Sequence, residues 1–149
     1  MKLKVTYYLF RGYFMERIYL EAIGIWILFV FVAILNGSIR QFLILPKTTE
    51  LTAHQISCFT GISLFFIIMY LWLKYTDASY TGYNLIVVGL SFLFATILFE
   101  FIFGHFVMGH NWAKLLHDYN FFQGRLWSLV LIWTTIGPYV VSKYIIGKI

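Results

Sequence analysis

The sequence predicts an all-α polytopic membrane protein. It reads as a four-transmembrane-helix bundle with a short interfacial helix between spans three and four. Three observations carry that prediction. Of 149 residues, 61% are apolar and only 11% charged, with a mean hydropathy of +0.82. Soluble domains carry roughly 25% charged residues, so too few charges are present to cover a surface facing water. The apolar residues gather into four runs, each near the roughly 20 residues that cross a hydrocarbon core of about 30 Å. Polar residues concentrate between the runs or toward their ends. A disordered chain and an ordinary water-soluble globule are both excluded.

The spans are placed at about residues 19–41, 54–75, 82–109 and 126–146. Pro138 sits inside the fourth and is expected to kink it, because proline removes one backbone hydrogen bond. The first connection holds Pro46, Lys47, Thr48, Thr49 and Glu50, and the second is short and polar. In the third, Asn111 can cap a helix whose Trp112, Leu115, Leu116 and Tyr119 fall on one face. Lys114 and Asp118 are expected to pair across one turn on its wet side. Such a helix would lie flat in the interface. Before the first span, Tyr7, Tyr8, Phe10, Tyr13 and Phe14 alternate with Lys4, Arg11 and Arg17 and also read as interfacial. Arg11 and Gly12 interrupt the apolar residues 5–10 too soon for a signal-peptide core, so no removable leader is expected. No repeat, low-complexity tract or linker divides the chain, and residues 1–149 are read as a single membrane domain.

The net charge of +5 comes from eleven basic residues spread along the chain. Nucleic-acid binding needs them concentrated on one polar face, so no nucleic-acid partner is expected. They report topology instead. Four spans put both termini on one side with Lys2, Lys4, Arg11, Arg17, Lys74, Lys143 and Lys148; the other side holds Arg40, Lys47, Lys114 and Arg125. Seven against four favours cytoplasmic termini. Cys58 has no intrachain partner, which excludes disulfides and cysteine-based zinc sites. It reads as a small buried apolar residue.

An ionisable side chain inside a span is costly and marks a functional site by default. Glu100 is the clearest case. It interrupts an apolar run and shares a helical stripe with Gly89, Leu93, Thr96 and Gly104, so it is expected to face the bundle interior. His105 and His110 stand about 140° apart on a continuous helix, which is no shared metal face, and no metal site is expected. If the helix ends near Gly109, His110 passes into the loop. Asn36 and Arg40 close the first span, His54 opens the second, and Arg125 opens the fourth. With alternating spans, Glu100, Arg40, His105, His54, His110, Arg125 and Asn36 all fall toward one membrane face. By the charge count that face is non-cytoplasmic. The opposite pole reads as apolar and aromatic, except for Glu21, with Arg17 its expected partner, and Lys143. Arg40 could pair with Glu100 or hold an anionic headgroup bidentately.

The string Phe99-Glu100-Phe101-Ile102-Phe103-Gly104-His105-Phe106-Val107-Met108-Gly109-His110-Asn111-Trp112, then Asp118-Tyr119-Asn120 and Gly124-Arg125-Leu126-Trp127, resembles a family of small, uncharacterised four-span bacterial membrane proteins. Asn36-Gly37-Ser38-Ile39-Arg40 and Ala53-His54-Gln55-Ile56-Ser57 are similar to the same family. The resemblance implies a bacterial inner membrane and no particular activity.

The favoured reading is a polar ligand- or proton-handling site near the outer leaflet, used in transport or sensing. Glu100 would titrate, with Arg40 and His105 as partners. Its partners would be the lipid bilayer, an anionic lipid or small-molecule ligand, and further copies of the chain if a wider pathway is needed. An accessory subunit of a membrane complex is one alternative. Another is an intramembrane enzyme acting on a lipid headgroup, with Glu100 or a histidine as base, although no nucleophile elbow, P-loop or HExxH motif is present. No cofactor is expected on the favoured reading. A b-type haem held by His54 and His105 is the remaining alternative.

Overall fold

The computed structural model describes the backbone of residues 2–149 and the side chains of residues 17–149. The chain is all-α, with no strand among the described residues. Its helices are α1 (Lys2–Ile39), α2 (Glu50–Tyr75), α3 (Gly82–Ile102), the short α4 (Trp112–His117) and α5 (Trp127–Val140). Turns of wider π spacing prolong three of them, over Arg40–Ile44, Phe103–Val107 and Val141–Ile146. Four helical segments are long and apolar enough to cross a membrane: Arg17–Lys47, Glu50–Tyr75, Gly82–Val107 and Trp127–Ile146. The aromatic stretch before Arg17 lies outside the described side chains.

Local chemistry sets the ends. The first span runs on to Lys47 because Pro46 is accommodated in a 3-10 turn instead of stopping the helix at Gln41. The second begins at Glu50, earlier than the apolar run suggests, because the Thr49 hydroxyl accepts the Thr52 amide at 3.2 Å. Glu50 then stands in the positive first turn. Thr81 and Asn84 form a reciprocal capping box at the head of α3. Gly109, at φ +67°, takes the left-handed conformation that ends the third span, and the His110 amide donates back to the Gly104 carbonyl at 2.9 Å. Glycine suits that position because it has no Cβ to clash. Beyond Pro138 the helical ladder widens to π spacing from Val141.

The helices close into a ring in the order α1, α2, α5, α3. The tightest seam is α3 against α5, where a Cβ built on Gly89 would lie 1.8 Å from the Thr135 carbonyl oxygen. In lipid the hydrophobic effect does not press helices together, so such backbone approach supplies much of the association. Phe29 of α1 stacks on Phe65 of α2 at 4.3 Å and meets Phe92 of α3 edge-on at 5.3 Å. Met69, Leu73, Leu85, Val88 and Val130 complete that core. Leu20, Phe31, Phe94, Leu98 and Ile102 project outward, as a hydrocarbon solvent allows. The loosest seam is α1 against α3, crossed by side-chain bonds from Trp26 Nε1 to Thr96 Oγ1 at 3.2 Å and from Asn84 Nδ2 to the Tyr19 hydroxyl at 2.8 Å.

In the third connection the expected short helix is present but ends before Tyr119, and one expected pairing is corrected. α4 buries only Leu115, which seats against Gly104, while Trp112 and Leu116 stay exposed and Tyr119 lies past the helix end. Asp118 does not pair with Lys114. It sits 3.4 Å from Arg125 instead. α4 stops at His117, and the buried Arg125 guanidinium, screened from water, is the more demanding partner.

Candidate functional site

We call the pole bearing the first and third connections distal and the other proximal. At the distal pole a chamber of about 270 Å³ opens between α1 and the other helices. Trp26 and Phe29 of α1, Phe65 of α2, Phe99 of α3 and Val130 of α5 line its apolar part. Its polar part carries Asn36, Arg40, His54, Glu100, His110 and Asp118.

Arg40 is the first residue of a π turn, half-buried. Its Nη1 donates to His54 Nδ1 at 3.4 Å. An arginine can only donate, so Nδ1 is the lone-pair nitrogen and the proton of neutral His54 sits on Nε2. Nε2 lies 3.5 Å from Cys58 Sγ, one turn further along α2. His54 therefore donates to the thiol and is not placed as its base. Arg40 has no carboxylate partner among the described residues. Asn36 is held by donating to the Ser57 carbonyl at 2.7 Å and accepting from Thr60 at 2.8 Å.

Glu100 faces the chamber from α3. Its Oε2 accepts the Tyr119 hydroxyl at 2.5 Å and the Trp127 indole N–H at 2.8 Å. Both donors converge on one oxygen, and neither engages Oε1. Burial and the bond to Glu100 push the Tyr119 phenol above its ordinary pKa, so it stays a donor. A raised tyrosine pKa stabilises the fold fully below the unfolded value of about 10 and less above it. In Tyr119→Phe the unfolding free energy is therefore expected to start lower at neutral pH, for want of the hydroxyl bond, and to fall less steeply above a pH of about 10, as read by denaturant titrations on both sides of that pH.

Among the expected site residues, Asn36, Arg40, His54, Glu100 and His110 thus come to one chamber, and two do not. Arg125 stands outside it as a clamp, bonded to Glu50 at 2.8 Å and near Asp118. Gln55 donating to the Gly124 carbonyl at 3.1 Å docks the same loop on α2. His105 stacks on Trp112 at 3.9 Å, and its Nδ1 donates to the His110 carbonyl at 2.9 Å, away from the chamber lining. The two histidines of the haem alternative therefore do not face one space: His54 lines the chamber with Nε2 on Cys58, and His105 seals the loop. Arg40 and Glu100 share the chamber without forming an ion pair. The sequence places Tyr119 on the apolar face of the interfacial helix and gives Trp127 no role, so neither is expected at Glu100. Their only signal was their position just past the polar end of the third span.

The proximal pole is not apolar. Glu21 accepts Arg17 Nε at 2.8 Å on Oε1, and Trp72 Nε1 at 2.9 Å and Thr76 Oγ1 at 2.5 Å on Oε2. Asn84 donates to the Tyr19 hydroxyl at 2.8 Å, and Lys148 donates to the Leu73 carbonyl at 2.7 Å at the α2 C-terminus. Apart from Arg17 and Lys148, these are uncharged side chains or backbone groups, which charge counting overlooks. The poles differ in that the distal network fronts the chamber.

No family model, no curated protein and no solved structure matches this chain.

Proposed function

We propose that the protein binds an amphiphile, with an anionic head on Arg40 and an apolar part among the chamber's aromatic residues, for transport or sensing. The observation that carries this is Arg40 itself: a half-buried guanidinium inside an apolar bundle, facing a chamber, with no carboxylate among the described residues to neutralise it. Such a charge is expensive in hydrocarbon and calls for a counter-charge. A guanidinium fits phosphate or carboxylate through two parallel N–H bonds. The adjoining α1–α3 crevice, about 250 Å³ and lined by Tyr19, Ala22, Ile23, Val88, Phe92 and Ala95 among others, gives a chain a path toward lipid. Trp26 borders both spaces.

The charge count and the family resemblance support a bacterial inner membrane with cytoplasmic termini, which sets the chamber toward the outer leaflet. Lys74, Lys143 and Lys148 at the proximal pole fit that orientation. The test is binding of lysophosphatidylglycerol to the detergent-solubilised protein, read by native mass spectrometry and Trp fluorescence. Arg40→Gln is expected to weaken it about tenfold or more, the worth of one charged hydrogen bond. Equal binding by the variant and the parent would remove the proposal.

A further inference from the structure

The chamber holds a second uncompensated group. Glu100 uses only Oε2 for Tyr119 and Trp127; Oε1 has no partner among the described residues, and it is not among the fully buried unsatisfied atoms. Asp118, the other acidic residue on the lining, is already near Arg125. A guanidinium and a carboxyl group, neither paired with an opposite charge among the described residues, thus face one space, each held by its own neighbours: Arg40 by His54, and Glu100 by Tyr119 and Trp127. A purely anionic head would neutralise Arg40 and be repelled by Glu100. A purely cationic head would do the reverse. A head carrying both signs offers a counter-charge to each wall.

We infer that the chamber selects a zwitterionic headgroup: a phosphate or carboxylate on Arg40 and an ammonium on Glu100 Oε1. This rests on the amphiphile reading above and adds the chemical class of the head. An ammonium has three N–H donors, which suits an oxygen whose neighbour is already engaged. The indole of Trp127 bonds Glu100 directly, so ligand at Oε1 should register in tryptophan emission.

The test uses the full chain in detergent with four probes: lysophosphatidylethanolamine, its N-acetylated form, lysophosphatidylglycerol and free phosphoethanolamine. The zwitterionic lysolipid is expected to bind about tenfold more tightly than its N-acetylated form, which keeps the phosphate and loses the cation. Glu100→Gln, which keeps an acceptor for Tyr119 and Trp127, is expected to abolish that preference and leave lysophosphatidylglycerol binding no weaker. Free phosphoethanolamine competing as well as the lysolipid would identify a soluble zwitterion as the source of the head chemistry, and weak competition an amphiphile. Equal affinity for the acetylated and unacetylated lysolipids would overturn the zwitterion inference while leaving the anionic-head reading intact. That comparison needs no protein variant. No binding of any probe to the parent protein would overturn both.

Discussion

Gly89→Ala is expected to destabilise the bundle more than any other glycine-to-alanine change in the described chain. The added Cβ would lie 1.8 Å from the Thr135 carbonyl oxygen and 2.8 Å from its carbon. Both are backbone atoms of α5, which cannot turn aside, so α3 and α5 must separate along their closest seam. Over-packing of this kind costs about 1–3 kcal/mol, and the upper part of that range is expected where nothing flexible yields. Gly104 and Gly137 provide the contrast. Their added Cβ atoms would meet Leu115 Cδ2 at 2.7 Å and Met69 Cε at 2.6 Å. Those are ends of mobile side chains, and losses below about 1 kcal/mol are expected there. Gly24 has nothing within 4 Å, so Gly24→Ala should be neutral or stabilising by up to about 1 kcal/mol through helix propensity. Equilibrium unfolding of the four variants in mixed micelles tests the order. If Gly89→Ala matched Gly104→Ala, the close backbone seam would not be what joins these helices.

That seam was half visible in the sequence. The stripe of Gly89, Thr96, Glu100 and Gly104 follows from helical periodicity, and the structure turns it inward: Gly89 to α5, Thr96 to Trp26, Gly104 to Leu115 and Glu100 to the chamber. Asn111 caps α4 as its residue type suggests, its side chain accepting from the Lys114 amide at 2.8 Å. The hydropathy that locates spans also located their polar ends, so the distal grouping of Arg40, His54 and Glu100 was legible. What was not legible depends on backbone that leaves the regular helix. Arg40 and His105 each lie in a π turn, where a fixed 100° step no longer says which way a side chain points. Arg40 consequently reaches His54 instead of Glu100, and His105 reaches a carbonyl of its own loop. Tyr119 and Trp127 arrive at Glu100 from beyond α4 and from the head of α5. Only the folded third connection brings them there, and no periodicity links residues so placed.

The two intramembrane glutamates are held by the same device, an indole N–H and a hydroxyl converging on Oε2: Trp72 and Thr76 for Glu21, Trp127 and Tyr119 for Glu100. They differ in the other oxygen, which Arg17 occupies at Glu21. Glu21 is accordingly a fastening of α1 to the end of α2, with no oxygen left for a ligand. Glu21→Leu strands two donors, and each unsatisfied group costs about 1–3 kcal/mol. Thr76 also accepts the Ala78 amide at 3.0 Å, so its loss of position loosens the turn into α3. A total loss of about 2–4 kcal/mol in unfolding free energy is expected. Glu21→Gln keeps an acceptor for the indole and the hydroxyl and forfeits mainly the ion pair with Arg17, whose side chain is 46% exposed. Exposed pairs are worth about 0–1 kcal/mol, so the glutamine variant should lose about that much. Neither change should move the affinity for a zwitterionic lysolipid. If Gln and Leu were equally damaging, the charge on Glu21 would be what holds this pole together, and the shared geometry of the two carboxylates would carry no common meaning. A graded loss, with ligand affinity intact, separates a carboxylate that fastens helices from one that also leaves an oxygen open to a guest.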